Sequence, residues 1–376
     1  MRMNRSTPYL GIIAALAAVL FVATLFDVPP TSQESSVSTT TPIIVVSAPE
    51  IVSQPKLEAA TTSPAVPPAV PRAEKPVVPK APVPAPAQPV APVVVQLIPT
   101  EALFDASALA LRDALVNIIC YAPPGSRLRS ISGSGVFIDS KGIILTNAHV
   151  AQSFLLADRR VSCVIRSGSP ARDKYEAALI YISPSWIRAN ATALTQDSPI
   201  GNGEYDFALL AVTKSATSVP LPTRFPSVPL AQVPSPSGTP VIIASYGAQF
   251  LESDQIQSSL FPTVVFGTIK KIFTFATNTI DVFSLGGSAA AQEGSSGGGV
   301  ADMAGTLIGT ITTSTVTGAT DTRSLSAITA SYIRAEYASE MGSALDLLLA
   351  EPTAASIADF APQIATLEAL LTVHLP

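Results

Sequence analysis

The sequence predicts a mainly β domain built as two small closed barrels. An N-terminal membrane segment and a proline-rich stalk precede it, and a short helical tail comes after it. Three observations predict this. Eleven short apolar runs, separated by Gly, Ser and Pro, crowd into the stretch from residue 101 onward. An uncharged run of 18 residues lies close to the N-terminus, and 17 of the 34 prolines fall between residues 29 and 100.

Residues 1–8 carry Arg2 and Arg5 and no acid, which places them in the cytoplasm by the positive-inside rule. The run from Tyr9 to Phe26 comes next. At about 1.5 Å per residue it covers roughly 27 Å, enough for one spanning helix, so residues 9–28 read as a transmembrane signal anchor. A cleaved signal peptide is the rival reading. It is poorly served, because Phe21 stands where a cleavage site after Ala23 needs a small residue. Both readings export the rest of the chain. Residues 29–100 alternate Pro with Ala and Val; proline fixes φ and removes donors, so this segment is expected to be an extended, disordered tether.

The domain proper is expected at 101–335. A helix over 103–114 comes first, and then strands over 115–122, 134–139, 142–147, 160–166, 178–183, 206–212, 239–247, 263–273, 279–286, 305–314 and 324–329. Closing such strands into two barrels removes exposed sheet edges. Residues 336–376 read as a helical tail, and the segment after Ser331 as two helices broken at Pro352.

Composition excludes several functions. With 22 basic and 27 acidic residues, for a net charge of −5, the chain lacks the basic face of a nucleic-acid binder. Two cysteines and two histidines leave too few ligands for a four-cysteine or histidine-rich metal centre, so neither a metal nor a cofactor is expected.

Three stretches carry candidate chemistry. In GSGVFIDSKGIILTNAHV, His149 comes after a strand, where an imidazole can serve a cleft as general base. In GEYDFALLAV, Asp206 opens an apolar strand and could orient that imidazole. In QEGSSGGGV, Ser296 stands among glycines, which permit a tight turn with main-chain N–H groups aimed at a developing oxyanion. Each alone is commonplace; a lone histidine is more often structural and a Gly-rich loop more often a plain turn.

Together these stretches resemble the trypsin-like serine peptidases of the HtrA/Deg type. Residues 133–150 are similar to their histidine block, DFALLAV to their aspartate strand, and Gly294-Ser295-Ser296-Gly297-Gly298 to their nucleophile loop. The order His, Asp, Ser, at separations of 57 and 90 residues, fits that family. The resemblance covers about residues 105–335. It implies two six-stranded antiparallel barrels of chymotrypsin-like fold, with His149 as base, Asp206 as orienting carboxylate and Ser296 as nucleophile. It further implies an oxyanion hole from the amides of Gly294 and Ser296, and hydrolysis of peptide bonds without a cofactor. The other histidine, His374, lies in the tail.

The chain departs from the family pattern at Ser295, where Asn or Asp is usual, and at Gly299, where Pro is usual; glycine there is expected to loosen the loop. Only 41 residues come after Ala335, so no PDZ domain is expected. By the resemblance the specificity pocket has Ala290 at its base and Leu325, Ser326 and Ala327 along its wall, which implies small or medium apolar residues on the acyl side of the cleaved bond. Cys120 and Cys163 lie on separate strands and could pair outside the cytoplasm; two buried thiols are the alternative. The expectation is a single-pass, membrane-anchored serine endopeptidase acting on protein or peptide substrates beyond the cytoplasm. A catalytically silent module of the same fold, binding peptides or an envelope partner, is the alternative.

Overall fold

Helix α1 (Thr100–Ala114) carries Glu101 in its first turn, where a negative charge complements the helix dipole. The computed structural model describes residues 100–192, 194, 201–275, 279–314 and 318–375. The expected anchor (9–28) and the stalk up to residue 99 lie outside the described residues, and among those described no helix is long and apolar enough to cross a membrane.

α1 runs straight into β1 (Leu115–Tyr121), whose first six residues are buried, as its run of β-branched and apolar side chains requires. β2 (Ile131–Asp139), β3 (Ile143–Thr146), β4 (Ser162–Ser167), β5 (Arg172–Ile182) and β6 (Ala208–Ser215) complete a closed barrel in the order β1-β2-β3-β6-β5-β4. It closes because β1 is antiparallel to both β2 and β4. The second pairing sets Cys120 opposite Cys163, and a disulfide joins them.

The second half departs from the six-stranded barrel expected. Its sheet has seven strands, β7 (Pro240–Ser245), β8 (Thr263–Thr268), β9 (Lys271–Phe273), β10 (Val282–Ser284), β11 (Gly299–Ala301), β12 (Leu307–Ser314) and β13 (Leu325–Thr329), in the order β8-β7-β11-β12-β13-β10-β9. The physical reason lies in residues 263–273, read from sequence as one strand. The Ile269 N–H still bonds Thr239 O on the β7 side at 3.0 Å, whereas the Lys270 N–H bonds Ser284 O on the β10 side at 2.8 Å. One bent stretch of chain therefore supplies both edges, and the sheet curls round until its two ends are consecutive segments. β11, three residues long and glycine-led, has no counterpart among the expected strands.

Short helices fill the connections: α2 (Ala148–Ala151), the 3-10 turn Gln152–Arg159, α3 (Pro184–Ala189) and α4 (Ser253–Ser258). After β13 the expected two helices are three, α5 (Ala330–Met341), α6 (Leu345–Ala350) and α7 (Thr353–Thr372). The extra break is at Gly342, whose φ of 67° ends α5 in the left-handed conformation that glycine adopts cheaply. α5 runs through residue 335, and Phe360, Leu367 and Leu371 of α7 are buried in the same core as both sheets, so the tail packs as part of the domain. Between α5 and the barrel, Glu340 accepts hydrogen bonds from the Tyr181 hydroxyl and, at 3.0 Å, from the Ser183 hydroxyl and the Ser185 N–H.

Candidate active site

β3 delivers His149. After Thr146 the chain turns through extended Asn147 into α2, and the imidazole emerges three residues beyond the strand with 35% of its side chain exposed. Asp206 enters from the other side, just before β6, with its side chain 7% exposed. It comes after a tight turn with two left-handed residues, Gly203 (φ 90°) and Tyr205 (φ 56°), and the Tyr205 amide N–H donates to the Tyr332 hydroxyl oxygen at 3.0 Å. At Gly203 a Cβ would lie 2.8 Å from Thr312 Cγ2, so glycine lets β12 approach.

The Asp206 carboxylate accepts three hydrogen bonds. His149 N–H reaches Oδ1 at 3.0 Å, His149 Nδ1 reaches Oδ2 at 2.8 Å, and the Thr312 hydroxyl reaches Oδ2 at 2.7 Å. The Asn147 amide holds the Asp206 carbonyl at 2.8 Å. A carboxylate acceptor forces Nδ1 to carry the proton and leaves the Nε2 lone pair free. Burial by itself pulls the His149 pKa down. The charge of Asp206 and its hydrogen bond outweigh that pull and hold the pKa above the usual 6.5. The partial exposure of the ring limits what burial can take away.

The loop that carries Ser296 is seated on the barrel. The Ser296 carbonyl accepts the Ser134 N–H at 2.7 Å, Gly297 N–H donates to Ile311 O at 2.9 Å, and Gly298 N–H donates to Ser295 O at 2.9 Å. Gly297 has φ 84°, and a Cβ there would lie 2.0 Å from Ser134 O and 2.4 Å from Thr146 Oγ1, so the contact demands glycine. Thr146 is the last residue of the strand that leads to His149. Ser296 itself is half-buried. Among the described residues the imidazole bonds Asp206 and makes no hydrogen bond to the Ser296 hydroxyl.

The amide side of the loop is orderly. Ala248 N–H donates to Glu293 O at 2.8 Å. In a planar trans peptide C=O and N–H point opposite ways, so this bond turns the Gly294 N–H away from Ala248. The Gly294 carbonyl accepts the Ser134 hydroxyl at 2.8 Å, and that hydroxyl oxygen accepts Tyr246 N–H at 2.9 Å. Among the described residues neither the Gly294 nor the Ser296 amide donates to a protein acceptor, which leaves two N–H groups available to an anion.

Gly299 lies inside the sheet. It opens β11, with Ala244 on one side and Thr310 on the other. A Cβ there would lie 2.8 Å from Leu111 Cδ1, 2.9 Å from Leu307 Cδ1 and 2.9 Å from Val136 Cγ2, so three side chains occupy the space that a residue larger than glycine would need. Ser295, 1% exposed, accepts the Ser245 hydroxyl at 3.1 Å.

Of the residues expected to form the specificity pocket, Ala290, Leu325 and Ala327 are fully buried and Ser326 is half-buried. The stretch around Ala290 is uncharged in sequence, yet Arg323, 5% exposed, lies against it and donates to Ala291 O at 2.7 Å. Sequence reasoning missed Arg323, Ser134, Asn147 and Thr312. Signals existed for three of them: Ser134 and Asn147 lie within the 133–150 block, and Thr312 in the strand GTLIGTITTS, that resemble the family; Arg323 had none.

No match was found among curated proteins. Among solved structures the chain is similar to Rv3671c of M. tuberculosis. One match is a serine-to-alanine mutant in its inactive form, at 18% identity and a TM-score of 0.40, covering 68% of this chain and 98% of that one. Another is the active form of that protease, at 19% identity and a TM-score of 0.40, covering 69% and 95%. A family model described as "Trypsin-like peptidase domain" matches residues 133–309, the stretch that runs from β2 through the Ser296 loop into β12. The chain carries a trypsin-like peptidase domain.

Proposed function

We propose that the protein is a serine endopeptidase that hydrolyses peptide bonds in proteins through His149, Asp206 and Ser296. The observation that carries this reading is the 2.8 Å contact between His149 Nδ1 and Asp206 Oδ2, which commits the imidazole to the tautomer a base requires. In the reaction Ser296 Oγ attacks the substrate carbonyl carbon while Nε2 takes its proton. The carbonyl oxygen gains the electron pair and is met by the Gly294 and Ser296 N–H groups. The imidazolium then protonates the departing amine, leaving an acyl-enzyme. Water attacks the acyl carbon with the same base taking its proton, and Ser296 regains a proton as the acid leaves. Asp206 stabilises the imidazolium in both halves, and the Thr312 hydroxyl holds the carboxylate in place.

The chain would act beyond the cytoplasmic membrane, held by residues 9–28 and reaching outward along residues 29–100. The apolar run and the flanking Arg2 and Arg5 support this placement. A disulfide between Cys120 and Cys163 is in keeping with an oxidising compartment.

A fluorophosphonate probe tests the chemistry. Labelling of the wild type that disappears in Ser296→Ala is expected. A folded wild type that takes up no label would overturn the enzyme reading and favour a silent, peptide-binding module.

A further inference from the structure

We propose that Arg323 is a positioning residue that holds the Gly294 amide in the orientation needed to receive an oxyanion; this rests on the peptidase reading above. The side chain is 5% exposed and donates to three uncharged acceptors on three separate loops. Nε reaches Gly318 O at 2.9 Å, and Nη1 reaches Gln249 Oε1 at 2.6 Å and Ala291 O at 2.7 Å. The guanidinium carbon lies 5.6 Å from the ring centroid of Phe250. Withdrawing a cation from water is costly, and neutral acceptors offset that cost less well than a carboxylate would. What the arrangement supplies is geometry. A planar fork with fixed donor directions ties together the segment after β7, the loop between β10 and β11, and the approach to β13.

Two of those ties matter for the chemistry. Segments 248–249 and 291–293 are joined by two rungs, the bond from Ala248 N–H to Glu293 O and the guanidinium shared by Gln249 Oε1 and Ala291 O. The first rung fixes which way the Glu293–Gly294 peptide faces. The second keeps the two segments in register so that the first can form. Without it the peptide is free to rotate, its carbonyl can swing toward the oxyanion position, and one of two N–H donors is lost. The Ser134 hydroxyl restrains the far side of Gly294 but acts on its carbonyl, not its amide.

The test compares Arg323→Met with wild type. Complete loss of one oxyanion donor lowers kcat by about 100- to 1000-fold in enzymes of this chemistry, so partial loss predicts a fall of roughly 10- to 100-fold. KM for a short peptide should change by less than about threefold, because uniform binding is untouched. A peptide boronate, which places an oxygen where the oxyanion forms, should lose affinity by the same factor as kcat, while the matching product peptide keeps its affinity. A purely structural role would not separate those two ligands. Gln249→Leu removes an acceptor of the second rung without emptying a buried site, and should show the same split at smaller amplitude if Arg323→Met does not fold. A kcat within threefold of wild type, or equal losses for boronate and product, would overturn the proposal. A wild type inert toward probe and peptides would overturn the peptidase reading itself, and that is visible before any variant is made.

Discussion

Replacing Asp206 with Asn tests the electrostatic core of the mechanism without changing its shape. The orientation of the new amide is dictated by the main chain: His149 N–H donates to Oδ1 at 3.0 Å, so the Asn oxygen must sit there, since an NH2 group would oppose that donor. The NH2 group then falls where Oδ2 was, 2.8 Å from Nδ1, and donates to it. The imidazole is locked with its proton on Nε2, unable to accept from Ser296. Recovering the productive tautomer means facing two buried donors at each other, about 1–3 kcal/mol. The imidazolium also loses its counter-charge. Unit charges near 4 Å at an effective dielectric of about 20 interact by about 4 kcal/mol, and water at a ring 35% exposed reduces this to roughly half. Together these raise the barrier by about 3–5 kcal/mol, a fall in kcat of roughly 100- to 10,000-fold. The upper end matches what this substitution does in other triad peptidases. The assay is kcat/KM against pH, paired with imidazole titration by NMR. Wild-type activity should rise with pH through the His149 ionisation, which lies above 6.5; in the variant burial acts unopposed, and the ionisation should move below 6.5 while the plateau falls. A plateau within tenfold of wild type, or an unmoved His149 titration, would refute the reasoning.

The same contact has a signature in stability. Because folding raises the His149 pKa, the protonated ring stabilises the fold; the contribution is fully present below about pH 6.5 and is lost as pH rises through the folded value. Urea denaturation should therefore show Asp206→Asn losing more stability relative to wild type at pH 5.5 than at pH 8.5. Gly299→Ala should cost about 1–3 kcal/mol through overpacking, and less in a Leu111→Ala background, where one of the three obstructing side chains is gone; a double-mutant cycle of urea curves measures the difference. Replacing both Cys120 and Cys163 with Ser opens a crosslink spanning 43 residues and should lower stability by about 4 kcal/mol on the chain-entropy argument, with reductant reproducing the loss in the wild type.

Local motifs single out residues 149, 206 and 294–298 because each needs a particular residue type beside a particular turn, and such needs are written in adjacent letters. Their supports are not. Thr312 reaches Asp206 across 106 residues, and Ser134 reaches Gly294 across 160, so the motifs that contain them do not say what they touch. The strands are legible for a related reason: alternating or continuous apolar runs bounded by Gly and Pro specify a strand locally. Where the runs bend is not local. Residues 263–273 read as one strand because nothing at Ile269–Lys270 interrupts it; the division comes from sheet curvature, which asks consecutive residues to serve opposite edges. β11 escapes notice because three residues opening with glycine carry no strand pattern, although pairing with β7 and β12 makes it central. Pro352 advertises a helix break, whereas Gly342 does so only once the chain is known to turn left-handed there.

Ser295 and Gly299, the two departures from the family pattern, bear on whether this fold is working or silent. A site drifting out of use accumulates holes and unmatched polar groups, since nothing selects against them. Neither is found at these positions. The Ser295 hydroxyl is buried and meets the Ser245 hydroxyl from β7, so the smaller residue has a small polar partner of its own. The Gly299 position is filled from three directions, by Leu307 within the sheet, Val136 from the barrel and Leu111 from α1, and the strand it opens is paired on both sides. The rigidity that proline would give through φ is here supplied by packing and by two ladders of hydrogen bonds. Both positions are thus closely packed, Ser295 by a hydroxyl partner and Gly299 by three side chains and two paired strands. Leu111 also ties the strand that Gly299 opens to α1, about three turns of helix from its start at Thr100. Trimming the chain inside residues 100–114 should therefore loosen the Ser296 loop, read as a fall in fluorophosphonate labelling rate, even though it removes no residue that touches the site.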